Sequence, residues 1–300
     1  MTTIFFDSRD SDAARRIGLY GGDLFVFSPR ASATALAEFA REMAEESFAP
    51  HYPPDAQFHI PAEQFAGILA DLKPAFINHR RSKELLQRIL IDVGCDPEKT
   101  YFDVPRLRTM AHGDYMKAGL AYAFHPHRDT WFSAPMCQLN WWLPVYDIHS
   151  ENCMAFHPRY WGEPVANSSA EYNYEEWKRH GRTAAAQQVK AETRKQPEAT
   201  EAVELDPQLR VVSQVGGILI FSAAQLHSTV PNTAGQTRFS IDFRTVNLDD
   251  LLARIGAPNI DSACTGTTLG DFLRVSDLAP LPRDFVSEYD AESSSLSPVP

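Results

Sequence analysis

The sequence predicts a mainly β protein with flanking α-helices, and two observations support this fold class. Apolar residues recur at helical spacing through the first hundred positions, which predicts helices there. From about Tyr101 onward, short β-like runs are separated by turn residues, with no long helical pattern between consecutive runs. Because parallel strands need crossover helices, this order favours an antiparallel sandwich such as a jelly roll.

Helices are expected in the N-terminal part, over residues 30–95. The first follows Ser32 and runs to Ser47. The second begins at Pro61, in the first-turn position that proline favours, and runs to about Leu72. The third extends from Ser82, a serine cap, to Val93, with Gly94 as its stop.

The jelly-roll core is predicted over about residues 101–248, within a single domain of residues 1–280. Its predicted strands are Leu120 to Phe124, Met136 to Val145, Leu209 to Gln214, Gly217 to Ser222 and Thr237 to Val246. A polar segment at about 170–205 is predicted as one or two exposed helices, either a lid or a solvated surface excursion. The composition of residues 281–300 is typical of a mobile tail.

Composition excludes several classes of function. The formal charge of −11 over 300 residues argues against charge-driven binding to nucleic acid or to an anionic membrane, but it leaves room for a local basic pocket. No signal peptide and no apolar stretch of the ~18 residues that span a bilayer are found. Four scattered cysteines indicate reduced thiols and a cytoplasmic protein.

His127-x-Asp129, with His227 a hundred residues later, has the composition of a two-His, one-carboxylate facial triad. Such a triad holds one face of a non-haem Fe(II) and leaves other positions open. Ligands at i and i+2 lie on one face of a strand, so the third must come from another strand. His125 shares this parity and could begin a cupin-type His-x-His set, but no glutamate follows before Glu151. His125 is therefore assigned a structural or supporting role.

A candidate anion site follows His227. Alternation in the strand from Thr237 places Arg238, Ser240 and Asp242 on one face. A buried arginine needs an anionic partner, and a carboxylate held by the guanidinium with a hydroxyl beside it meets that need. The alternative is a structural ion pair of Arg238 with Asp242 or Asp129.

The segment Gly216 to Arg244 (GGILIFSAAQLHSTVPNTAGQTRFSIDFR) resembles the distal-histidine region of the Fe(II)/2-oxoglutarate-dependent oxygenases, in their phytanoyl-CoA-dioxygenase-like branch. Glu151-Asn152-Cys153 resembles the Glu-Asn-Gly loop of that branch, with cysteine in place of glycine. The following His157-Pro158-Arg159-Tyr160 departs from the usual Pro-Gly-Ser-His. The resemblance covers about Pro126 to Val246, and it implies a double-stranded β-helix, a cupin-like jelly roll.

The resemblance also implies roles for individual residues. It places iron on His127, Asp129 and His227, and the distal carboxylate of the cosubstrate 2-oxoglutarate on Arg238 with help from Ser240. The cofactors expected are thus Fe(II), 2-oxoglutarate and O₂, and the expected partner is a small-molecule substrate. Since halogenating relatives replace the carboxylate ligand by a small residue, Asp129 favours hydroxylation or a related oxidation.

Further candidates and alternatives follow from the residues themselves. Gln138 and Asn140 are candidates for contact with the cosubstrate or for hydrogen bonding within the barrel, and Trp131 is a candidate substrate wall. An Fe(II) enzyme that does without 2-oxoglutarate, with Arg238 on a substrate carboxylate, is a second hypothesis. A non-catalytic jelly-roll binding protein is a third. The substrate and the oligomeric state stay open.

Overall fold

A computed structural model of the chain describes residues 2–116, 125–184 and 196–293. Its helices are α1 (Asp12–Tyr20), α2 (Ala31–Phe48), α3 (Ala62–Asn78), α4 (Arg80–Asp92), α5 (Tyr174–Ala184), α6 (Leu248–Ala253) and α7 (Arg283–Ser293). Its strands are β1 (Ile4–Phe6), β2 (Leu24–Phe27), β3 (Thr100–Phe102), β4 (Arg106–Met110), β5 (Leu139–Pro144), β6 (Met154–Phe156), β7 (Leu209–Val211), β8 (Ile218–Ser222), β9 (His227–Thr229), β10 (Arg238–Asn247) and β11 (Leu273–Arg274).

Within the described residues the strands form a large and a small sheet. The large sheet has the order β1-β2-β8-β5-β10-β3-β11, with β4 also paired to β10, and the small sheet has the order β7-β6-β9. Neighbouring strands are antiparallel, except that β1 and β2 run parallel. An apolar cluster that includes Trp142, Leu219 and Phe221 of the large sheet and Met154 and Phe156 of the small one joins the two. The core is thus the predicted jelly roll.

The other face of the large sheet is covered by helices. Its side chains, among them Phe239, Ile241 and Phe243, belong to one apolar cluster with residues of α2, α3 and α4. The helix-covered face of the large sheet therefore forms the larger hydrophobic core. The inner face, between the two sheets, carries the smaller apolar cluster together with buried polar side chains such as Arg238 and Ser240. The expectation of a mainly β core with flanking helices is confirmed, although the whole chain is mixed α and β.

Several element bounds differ from the sequence prediction. The second predicted helix runs through Pro74 to Asn78, instead of ending at Leu72. The third begins at Arg80, where His79 and not Ser82 is the cap, its ring accepting a hydrogen bond from the backbone N–H of Arg81. Ser82 lies inside the helix and donates to the carbonyl of Phe76 instead.

The N-terminal and C-terminal parts also differ from the prediction. β1 and β2 lie before the predicted helical part of residues 30–95, where no strand was predicted, and they extend the large sheet through the pairing of β2 with β8. A helix, Arg283–Ser293, occupies most of the segment predicted as a mobile tail from residue 281. The predicted strand at Leu120 to Phe124, part of the polar insertion (185–195) and the last residues (294–300) lie outside the described residues.

Candidate active site

Two histidines from distant parts of the chain meet in a short antiparallel bridge. The backbone N–H of His127 donates to the carbonyl of His227, and the reverse bond is also formed, each at 3.0 Å. The ring centroids are 4.4 Å apart. His227 is the first residue of its own short strand, β9. The bridge fixes the mutual position of the two imidazoles.

Asp129 completes the group from the start of a short 3₁₀ helix, Asp129–Phe132. One ligand atom from each of His127, Asp129 and His227 lies within 4.8 Å of the others, and the three residues form a group that can hold a metal ion. The Asp129 Oδ1 atom is 3.3 Å from Nε2 of His127 and 3.9 Å from Nε2 of His227. The three predicted ligands are therefore brought together.

Backbone carbonyls set the orientation of both rings. Nδ1 of His127 lies 2.8 Å from the carbonyl oxygen of His125, and Nδ1 of His227 lies 3.0 Å from that of Gln225. Because a carbonyl oxygen only accepts, each Nδ1 carries the proton and each Nε2 presents its lone pair to the centre. His125 thus contributes its main chain to this arrangement, in agreement with its predicted supporting role.

Electrostatics hold the donors in the ionisation states that a cation needs. Burial raises the pKa of Asp129, but the adjacent His127 side chain and the charge of Arg244 outweigh it and hold the pKa below its usual range. The Arg244 Nε lies 3.6 Å from Asp129 Oδ2. Burial, followed by the neighbouring His127, lowers the pKa of His227 to about 3, so its imidazole is neutral. One carboxylate and two imidazoles suit a divalent transition metal.

A second group of polar atoms lies on the inner face of β10. Arg238 is 6% exposed and donates from Nη1 to the carbonyl of Asn152 at 2.9 Å. Among the described residues, the buried Nε of Arg238, the Oγ of Ser240 and the Nδ2 of Asn152 have no hydrogen-bond partner. Burial lowers the pKa of Arg238 to about 10. A buried guanidinium beside unused donors is a cradle for an anion.

The alternative of a structural ion pair for Arg238 is not what the structure shows. Asp242 pairs with Arg108 through two bonds, from Nε at 2.6 Å and from Nη2 at 3.2 Å. Asp129 faces Arg244 instead. Both aspartates proposed as partners of Arg238 are therefore held by other arginines.

The remaining predicted residues are buried near the site. Gln138 donates from Nε2 to Oδ1 of Asn140 at 3.1 Å, and Asn140 lies opposite Arg244 in the register of β5 and β10. Trp131 has no exposed surface, and its indole N–H donates to Asp261 at 2.7 Å. With no accessible face, Trp131 is a packing residue here, contrary to the predicted substrate wall. The ring of the next residue, Phe132, lies 5.5 Å from that of His127.

Two residues that the sequence analysis did not single out support the site. Arg244 orients Asp129, and Asp261 binds both Trp131 and the fully buried Arg128, whose Nε lies 3.0 Å from it. The sequence pattern does point to Arg244, because alternation along β10 places it on the same face as Arg238 and Ser240. Asp261 lies in an irregular segment and has no such signal.

No family model matches the chain, and no curated protein matches its sequence. Several solved structures are similar to it. One is the epimerase SnoN in complex with Fe3+, alpha ketoglutarate and nogalamycin RO, at 15% identity and a TM-score of 0.39, covering 79% of this chain and 85% of that one. Another is EvdO2 from Micromonospora carbonacea var. aurantiaca complexed with 2-oxoglutarate, at 12% identity and a TM-score of 0.45, covering 79% and 91%.

A third similar structure is AviO1 from Streptomyces viridochromogenes Tue57, at 15% identity and a TM-score of 0.40, covering 80% of this chain and 97% of that one. In the parts of the chain that the structure describes, no helix is both long and apolar enough to cross a bilayer.

Proposed function

We propose that the chain is a non-haem Fe(II)/2-oxoglutarate-dependent oxygenase that oxidises a small-molecule substrate and releases succinate and CO₂. The observation that carries the proposal is a pair of groups within one jelly roll. The donors His127, Asp129 and His227 face one point, and on the same inner side the buried Arg238 and Ser240 leave polar atoms without partners among the residues that the structure describes. The first group fits a divalent iron, and the second fits a carboxylate.

Each residue has a definite task in this proposal. His127, Asp129 and His227 would hold iron, with the histidine protons fixed on Nδ1 by the carbonyls of His125 and Gln225. Iron with 2-oxoglutarate and O₂ supplies the oxidising chemistry, while the protein binds, orients and excludes water.

Arg238 and Ser240 would bind the distal carboxylate of 2-oxoglutarate, since that carboxylate would accept hydrogen bonds from the unused Nε and Oγ atoms. The Arg238–Asn152 bond holds the guanidinium in place. Asn140, which lies opposite Arg244, is a further candidate contact. The carboxylate of Asp129 fills the third ligand position, and this supports an oxygenation such as hydroxylation over halogenation.

The buried Arg238 and Ser240 also support a second enzyme function. Arg238 and Ser240 fit any carboxylate, so an iron enzyme that does without 2-oxoglutarate would hold its substrate there. Metal-reconstituted protein supplied with 2-oxoglutarate and O₂ separates the two. We expect slow uncoupled formation of succinate, with O₂ consumed in step, and loss of both in His227→Ala. O₂ uptake without succinate would favour the second function, and a site that rejects Fe(II) would favour a non-catalytic binding protein.

A further inference from the structure

The loop that carries two of the proposed metal ligands is attached to a distant segment of the chain. We call residues 127–133 the ligand loop and residues 261–268 the C-terminal clamp. His127 is held by its bridge to His227, but Asp129 lies beyond that bridge, where the backbone enters a 3₁₀ helix. The position of the Asp129 carboxylate therefore depends on what holds the residues on either side of it.

Arg128 lies between the two ligands, and its side chain is 1% exposed. Its guanidinium donates to three backbone carbonyls, those of Tyr160, Glu163 and Ala224. Its Nε lies 3.0 Å from Oδ2 of Asp261, the carboxylate that pairs with it among the described residues. Because a buried guanidinium that loses its carboxylate is strongly unfavourable, this ion pair fixes Arg128 in place.

Asp261 accepts hydrogen bonds from two segments at once. Its Oδ1 accepts the indole N–H of Trp131 at 2.7 Å, and its Oδ2 accepts the backbone N–H of Val165 at 3.0 Å in addition to the bond from Arg128. Its own carbonyl accepts a bond from the side-chain amide of Asn167 at 2.9 Å. Arg128 and Trp131 belong to the ligand loop and flank the metal ligand. A shift of the Asp261 carboxylate would therefore move the loop on both sides of that ligand.

Further bonds run along the contact between the C-terminal clamp and the ligand loop. The hydroxyl of Ser262 donates to the carbonyl of Thr130 at 2.6 Å. The hydroxyl of Ser133 donates to the carbonyl of Thr265 at 2.7 Å, and the carbonyl of Ser133 accepts the backbone N–H of Thr268 at 3.1 Å. The C-terminal clamp thus follows the ligand loop beyond the metal ligand, and Asp261 supplies the charged part of the contact.

We propose that Asp261 is a positioning residue of the metal site, which holds Asp129 in place through Arg128 and Trp131. The inference rests on the proposed function in one respect, the binding of a divalent metal by the proposed ligands. Groups that orient metal ligands from behind typically change metal affinity about 10–100-fold when they are replaced. The reason is that a ligand left free to move loses conformational entropy when the metal binds.

The test compares metal binding by the full native chain and by Asp261→Asn, each first freed of metal with a chelator. Asparagine keeps the size of the side chain, but it does not neutralise Arg128, and its amide nitrogen accepts no hydrogen bond. Co(II) is the probe, because its visible absorption reports the ligand geometry as well as the occupancy of the site. We expect Co(II) to bind about 10–100-fold more weakly to Asp261→Asn, with altered absorption bands.

Asp250→Asn is a matched control. Asp250 likewise accepts a bond from an arginine Nε, that of Arg16 at 2.6 Å, and from an aromatic side chain, the hydroxyl of Tyr20 at 2.7 Å. These partners belong to α1, which carries none of the proposed ligands. Asp250→Asn should lower the urea midpoint, as Asp261→Asn does, but leave the affinity and absorption of bound Co(II) unchanged. Equal weakening of Co(II) binding in both variants would overturn the inference, because it would reflect stability alone.

A double-mutant cycle shows whether Asp261 acts through Arg128. The double variant Arg128→Met/Asp261→Asn leaves no unpaired charge in the contact, so it should bind Co(II) no more weakly than Asp261→Asn alone. If the losses of the two single variants multiply instead, the residues act independently and the inference is wrong. Trp131→Phe removes one hydrogen bond to Asp261 and should weaken Co(II) binding about threefold. This milder variant decides the test if Asp261→Asn does not fold.

The outcomes separate the two proposals. Native affinity for Co(II) in Trp131→Phe and in folded Asp261→Asn would overturn the inference and leave the proposed metal site intact. A native protein that does not bind Co(II), or that binds it no better than His227→Ala does, would instead contradict the proposed function and remove the inference with it.

Discussion

On the outer face of β10, Phe239, Ile241 and Phe243 have no exposed surface and pack beneath the helices. On the inner face of the same strand, Arg238 and Ser240 are nearly as buried, yet they leave polar atoms without partners among the described residues. Burial stabilises the first set, because apolar area leaves water, and it works against the second, because polar groups lose hydration.

This contrast separates stability from function within one strand. Alternation assigns odd positions to the core and even positions to the site, so neighbouring substitutions should have opposite consequences. Outer-face changes should unfold the protein without altering the affinity of the folded site. Inner-face changes should alter ligand binding and leave the free energy of unfolding unchanged or increased.

The largest expected effect is that of Phe243→Ala on stability. The ring is fully buried and stacks on Trp141 at 5.4 Å, so truncation should lower the free energy of unfolding by about 3–5 kcal/mol. Urea denaturation measures this loss, and metal titration of the folded protein at low temperature is the control. A small loss together with weakened metal binding would show that the two faces are not independent.

Arg238→Met should show the reverse pattern. The affinity for 2-oxoglutarate should fall about 100-fold, which corresponds to about 2.7 kcal/mol, because a charge-assisted contact is lost. The free energy of unfolding should not decrease, since a buried guanidinium without a carboxylate partner is removed. Calorimetric titration and urea denaturation give both values. Strong destabilisation with unchanged affinity would identify a structural arginine.

Lys73→Met extends the comparison to a buried lysine of α3. Burial, followed by the charge of Arg108, lowers the pKa of Lys73 from 10.5 to about 7. The unfolded chain therefore binds this proton at a higher pH than the folded chain, and Lys73 destabilises the fold fully below about pH 7 and not above about pH 10.5.

The Lys73→Met variant should accordingly be more stable than the native protein at pH 6, with the gain disappearing toward pH 10.5. Denaturation curves at several pH values measure this dependence. A gain that is the same at all pH values would come from packing and not from the charge of Lys73.

The smallest expected effect is that of Ser240→Ala. The Oγ of Ser240 has no partner among the described residues, so its removal should leave the free energy of unfolding unchanged or slightly raised. The affinity for 2-oxoglutarate should fall by about 1 kcal/mol, the value of one hydrogen bond. Stability loss without a change in affinity would exclude the assigned contact.

Features that depend on local spacing were predictable from the sequence. The two faces of β10 follow from alternation between Thr237 and Arg244. His127 and Asp129 were also predicted as a pair, although Asp129 begins a 3₁₀ helix and does not continue a strand, and the structure brings His227 to them. The helix α2 also lies close to its predicted position.

Features that depend on distant pairing were not predictable. β2 joins the large sheet because Phe25 pairs with Ile220, and its short apolar run alone does not distinguish a strand from a buried helical turn. The burial of Trp131 depends on Asp261, which is 130 positions away. The helix Arg283–Ser293 likewise depends on distant contacts, since Tyr289 is buried in the helix-side core.

The most direct test of the central claim is an anaerobic titration with Fe(II) and 2-oxoglutarate, followed by visible absorption. A keto acid chelated to Fe(II) in such a site gives a weak charge-transfer band, and we expect this band to saturate at one iron per chain. It should be lost in His127→Ala, and in Arg238→Met it should require about 100-fold more 2-oxoglutarate. No band in the native protein, or one that persists unchanged in His127→Ala, would contradict the assignment.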